Sequence, residues 1–131
     1  MKPTLSTLAE FTNQQIFDFV GKHLIKQGEA SINVGKCKYR VNKNGKDLSC
    51  AIGCLISDEN YEEIFEGKAV ASLLGYNSFN QKITDESKIQ FLTSLQYLHD
   101  YETDWDNIPK SLELFAEENN LNYETNTRNI K

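Results

Sequence analysis

Apolar positions along the chain switch between helical and extended spacing, and the switches divide it into elements. Phe11-Thr12-Asn13-Gln14-Gln15-Ile16 opens the first of these, with Thr12 and Gln15 at the spacing of a capping box and Phe11 and Ile16 at that of a hydrophobic staple. Ile16, Phe17, Val20, Leu24 and Ile25 then recur at helical spacing, and Gln27-Gly28 supplies a stop, so a helix with one buried face is expected. Residues 32–34 and 37–41 are short runs rich in branched and aromatic side chains. Gly35 separates them and Asn42-Lys43-Asn44-Gly45 follows, which predicts a small hairpin or three-stranded meander.

The apolar stretch over residues 48–56 carries two thiols four positions apart, Cys50 and Cys54. Residues 49–56 are expected to be helical, with Ser49 as N-cap, Ala51 and Leu55 on one face, and the small Ala51 and Gly53 allowing a neighbour to approach closely. Residues 58–65 read as a short acidic helix stopped by Gly67, and residues 69–74 as another stopped by Gly75. From residue 84 to about 101, Phe91, Leu92, Leu95 and Leu98 trace a second long amphipathic helix. Pro109 then opens a third, turning Leu112, Phe115 and Ala116 inward. The expected fold class is α+β: a mostly helical single domain with a small antiparallel sheet packed on two long helices. Residues 1–10 read as an N-terminal arm, 11–123 as the globular domain and 124–131 as a frayed tail.

Composition narrows the function classes. A chain of 131 residues with 39% hydrophobic content is sufficient for one core. A formal net charge of -5, with lysines scattered among carboxylates, argues against nucleic acid as a partner, because phosphate neutralisation needs a basic face. With three cysteines, no secretory signal and no long apolar span, the protein is expected to be cytoplasmic with reduced thiols and no membrane partner. No cofactor signature stands out. The expected partners are proteins or small molecules, and a homo-oligomer is compatible with the sequence.

Each cluster that could carry chemistry has a plainer counterpart. Cys37, Cys50 and Cys54 with His23 or His99 would make a four-ligand zinc set, but a CxxxC inside an apolar stretch reads more simply as two small core residues, and no metal is assigned. Cys50 in the first turn of a helix would have a lowered pKa, and His99 as general base with Asp100 or Asp104 as its orienting partner would then give a thiol-dependent hydrolase or transferase. That is the chain order of papain-like hydrolases; the plainer reading is a core cysteine. Around His99, the string Gln96-Tyr97-Leu98-His99-Asp100-Tyr101 mixes hydrogen-bonding and aromatic groups at a helix end, as a binding pocket does, against the alternative of a histidine satisfied by the backbone. The acidic runs over residues 58–63 and 100–106 read as solvated faces, with Trp105 either plugging the core edge or anchoring an interface.

Several of these strings together resemble short, uncharacterised proteins encoded by tailed phages and prophages: Asn13-Gln14-Gln15-Ile16-Phe17-Asp18, Lys26-Gln27-Gly28, Cys37-Lys38-Tyr39-Arg40, residues 48–61, Glu66-Gly67-Lys68, and Leu95-Gln96-Tyr97-Leu98-His99-Asp100. The resemblance spans residues 13–121. In that family pattern cysteine stands at the positions of Cys37 and Cys50, while the place of Cys54 is frequently alanine. What it implies is context: a small non-enzymatic binding protein in the cytoplasm of an infected or lysogenic bacterium. Such a protein would blunt defence by occluding a host defence protein or sequestering a nucleotide signal. For a nucleotide-like ligand the expected contacts are Lys38, Arg40 and Lys68 to phosphate, with Tyr39 or Tyr97 stacking on a base. Gln96, His99 and Trp105 complete the expected binding set.

Overall fold

Both ends of the first helix form as the sequence predicts. In the computed structural model, which describes residues 2–76, 79, 83 and 85–123, α1 spans Asn13–Gln27. Thr12 accepts from the Gln15 N–H while the Gln15 side chain accepts from the Thr12 N–H, and Gly28 closes the helix in the left-handed conformation. Ile16, Phe17, Val20 and Leu24 are buried along one face. Two hairpins follow in place of a meander: β1 (Ile32–Asn33) pairs with β2 (Lys36–Cys37), and β3 (Arg40–Lys43) with β4 (Lys46–Ser49), all antiparallel. The branched run over 37–41 is thus divided between two strands, and Leu48 and Ser49 belong to β4.

The two hairpin turns have the same backbone. Val34-Gly35 and Asn44-Gly45 each place both central residues at positive φ, the requirement of a type I′ turn. Asn tolerates this geometry; a branched valine at φ 53 does not, and carries a strain of about 1–3 kcal/mol. Val34 is also 91% exposed.

The expected helix over 49–56 is absent. Ser49 cannot cap one, because it is already committed as the last residue of β4. The Gln27 side chain accepts its N–H, His23 and Gln27 donate to its carbonyl, and its hydroxyl lies 3.1 Å from His23 Nε2. The chain instead runs through the core as an irregular strip with a single 3₁₀ turn at Gly53–Leu55, burying Cys50, Ala51, Ile52, Leu55 and Ile56. Close approach at Gly53 does occur, to the hairpin backbone: a Cβ there would stand 1.8 Å from the Tyr39 carbonyl oxygen. The acidic helix over 58–65 likewise shrinks to a 3₁₀ turn at Glu63–Phe65.

Among the described residues, three further α-helices complete a mostly helical α+β domain. These are α2 (Val70–Leu73), α3 (Glu86–Tyr101, N-capped by the Asp85 carboxylate) and α4 (Ile108–Glu118, with Pro109 in its first turn). The expected start of α3 at Thr84 lies outside the described residues, as does the expected tail over 124–131. Helices α1, α3 and α4 pack on one another, with Phe17 stacked on Phe115 at 5.5 Å and Phe91 against Phe115 at 5.7 Å. Near the N-terminus, Leu5 and Leu8 are buried in the core, and the Leu5 N–H donates to the Leu55 carbonyl at 2.7 Å. Among the described residues no helix is long and apolar enough to cross a membrane.

Candidate functional site

The last two turns of α3 gather the polar groups that distinguish this domain from a plain packed core. Gln96 and Asp100 stand one turn apart, so Gln96 Nε2 reaches Asp100 Oδ1 at 2.6 Å while Gln96 Oε1 accepts the Ile52 N–H at 2.9 Å. His99, 1% exposed, accepts the Ser31 N–H on Nε2 at 3.0 Å. A backbone N–H can only donate, so the ring proton sits on Nδ1, 2.9 Å from Asp100 Oδ1. Trp105 packs its ring edge-on to the imidazole at 5.4 Å and donates Nε1–H to the Leu24 carbonyl, plugging the core edge at the end of α1.

Cys37 of β2 joins the group. One ligand atom each from Cys37, His99 and Asp100 lies within 4.8 Å of the others. Burial, followed by the Asp100 charge, pushes the Cys37 thiol up to about 11. Asp100 therefore collects donors from Gln96 and His99 while its side chain stays one-quarter exposed.

This carboxylate lies on the wall of a cleft of about 340 Å³ between the segment that follows β2 and the helix α3. Lys38, Lys68 and Tyr97 border it, with Thr93 and Cys50 deeper in the lining. Tyr39 forms a fixed wall: it is buried, its hydroxyl donates to the Lys68 carbonyl at 2.6 Å, and its N–H donates to Glu66 Oε1 at 2.8 Å. Tyr97, by contrast, is half exposed.

Arg40 does not line this cleft. Its guanidinium is held by Asp58 at 2.8 Å and by the Ile56 carbonyl, and it lies 4.5 Å over the Tyr61 ring. It borders a wider, more open groove of about 750 Å³, where the polar groups largely satisfy one another, Tyr61 donating to Glu66 as Arg40 does to Asp58. Of the phosphate contacts expected from the sequence, the cleft thus brings together Lys38 and Lys68 and leaves Arg40 outside.

The nucleophile–base pair expected of Cys50 and His99 is not hydrogen-bonded. Cys50 sits in the irregular strip, 1% exposed, and accepts the Gly53 N–H at 3.3 Å. Burial pushes its thiol up to about 12, the opposite of activation. Both nitrogens of His99 are committed elsewhere, and the thiol beside it is that of Cys37. The zinc set does not converge either. Cys54 donates to the Ala51 carbonyl and His23 to that of Ser49, and neither they nor Cys50 belongs to the Cys37–His99–Asp100 group.

That group is itself ill suited to a cation. Coordination would need the Nδ1 lone pair, and moving the ring proton to Nε2 would set it against the Ser31 N–H. The arrangement holds a carboxylate in place rather than a metal.

Sequence reasoning missed Glu66 and Ser31. Glu66 accepts the N–H groups of both Tyr39 and Arg40 and so fixes the bend between the hairpins. Its one signal was its place in the Glu66-Gly67-Lys68 string. Ser31 acts through its backbone, which side-chain chemistry cannot announce. No family model, no curated protein and no solved structure matches the chain.

Proposed function

We propose that the protein is a non-enzymatic binding protein that sequesters a nucleotide-like ligand in the Asp100 cleft. The observation that carries this reading is a carboxylate held by Gln96 and His99 in one cleft with Lys38 and Lys68, which make no ion pair among the described residues, and the exposed ring of Tyr97. These are complementary groups for one ligand class. Lysines meet phosphate, a tyrosine face stacks on a base, and a carboxylate accepts ribose hydroxyls or base N–H groups. The cleft volume lies at the lower end of the range for small-ligand sites. Three thiols raised above the ordinary cysteine value speak for binding over thiol catalysis. The resemblance to phage-encoded proteins supplies the context: counter-defence in the cytoplasm of an infected bacterium, by withdrawing a nucleotide immune signal.

Calorimetric titration of the purified protein with linear and cyclic mono- and dinucleotides tests the proposal. Binding in the micromolar range or tighter is expected, weakened roughly tenfold by Lys68→Ala, at an exposed side chain, and by Tyr97→Ala, at a half-exposed one. Absence of binding across the panel would reject the nucleotide reading and move attention to occlusion of a host defence protein. Rapid alkylation of Cys50 near neutral pH would instead restore the thiol enzyme.

A further inference from the structure

Two turns of identical backbone carry different residues, and the difference is informative. Asn44-Gly45 is the ordinary choice for a type I′ turn; Val34-Gly35 accepts strain and exposes a branched apolar side chain to water. The stretch of chain that follows the Val34 tip is basic. Lys36, Lys38, Arg40, Lys43 and Lys46 stand against Asp47 alone between residues 36 and 47, in a chain that is otherwise strongly acidic. Arg40 and Lys46 are paired with Asp58 and Glu29, whereas Lys36 and Lys38 make no ion pair among the described residues.

The base of this hairpin rests on the C-terminal end of α3, with the Ser31 N–H donating to His99 and Cys37 standing beside His99 and Asp100. That end presents Tyr97 and Tyr101, 52% and 74% exposed, as an aromatic pair with centroids 5.2 Å apart. It leads into Asp100, Glu102, Asp104 and Asp106, with no Lys or Arg between Lys88 and Lys110. The hairpin that ends in Val34 and the helix end that carries the tyrosine pair are therefore adjacent elements, one leading into a basic and the other into an acidic stretch of chain. A two-fold axis between them sets each Val34 tip on the other copy's tyrosine pair, satisfying both contacts twice.

We propose that the protein forms a two-fold symmetric dimer in which the Val34 tip of each copy packs on the Tyr97–Tyr101 pair of the other. Since Tyr97 also borders the Asp100 cleft, the second copy's hairpin becomes part of the cleft rim.

Sedimentation equilibrium and light scattering over a concentration series, with melting measured at high dilution, test this. The wild type is expected at twice its 15.0 kDa chain mass at micromolar concentration, with dissociation promoted by salt. Val34→Asn removes the strain and the apolar tip together, so the dilute monomer melts higher while dimer dissociation rises by about tenfold or more. Tyr101→Ala weakens the dimer without lowering the melting temperature of the monomer. A wild type that remains at 15.0 kDa throughout overturns the proposal, as does a dimer indifferent to both substitutions. A lower monomer melting temperature for Val34→Asn also overturns it, since Val34 would then be packing within its own chain. None of these outcomes depends on whether a nucleotide binds.

Discussion

Gly53 shows how one residue can fix the position of everything around it. The strip carrying Cys50 reaches the hairpin only because no side chain stands between Gly53 and the Tyr39 carbonyl, the acceptor for the Cys50 N–H. Gly53→Ala would force two backbones apart, and a loss of about 3 kcal/mol is expected at the upper end of overpacking costs, read as a lower urea midpoint at unchanged slope. The small residue and its close approach were legible in the sequence. The identity of the neighbour was not, because Tyr39 and Gly53 belong to different elements whose relative placement no local pattern encodes. His99 teaches the same lesson. Its polar helix-end surroundings were readable, yet the group that satisfies it is a backbone N–H 68 positions away.

Elements with local signals formed where expected. Helix α1 has a capping box, an apolar stripe and a glycine stop; α4 has a proline in its first turn and inward Leu112, Phe115 and Ala116. The strip over 49–56 was misjudged because a short apolar run suits helix, strand or irregular core equally, and the hydrogen bonds that decide it come from Gln27, His23 and Gln96. The bend between β2 and β3 likewise depends on a distant group, the Glu66 carboxylate. Glu66→Ala would leave the Tyr39 and Arg40 N–H groups and the Tyr61 hydroxyl without their acceptor, at an expected cost of roughly 2–3 kcal/mol. Hydrogen exchange should then accelerate first at those two amides, with α1 still protected.

At the scale of the whole molecule, the coupling of stability to acidity runs through His23. Burial lowers its pKa below 6.5, outweighing the hydrogen bond to the Ser49 carbonyl, and the nearby His99 adds to the effect. The unfolded chain then binds a proton more readily than the folded one, so stability is full above pH 6.5, falls as pH drops below it, and levels off once pH passes under the folded value. Chemical denaturation between pH 7.5 and pH 5 should show this decline, and His23→Gln should flatten it.

The packing of Phe17 on Phe115 also has a temporal side. Translation releases the two rings roughly 100 residues apart, a wait of about 5–20 s at ordinary elongation rates. Throughout that interval the emerged portion holds apolar surface that α4 and Tyr123 cover in the folded domain. A ribosome halted before Ile108 would thus yield a polypeptide that chaperones retain and proteases clear, leaving no half-length product with partial activity.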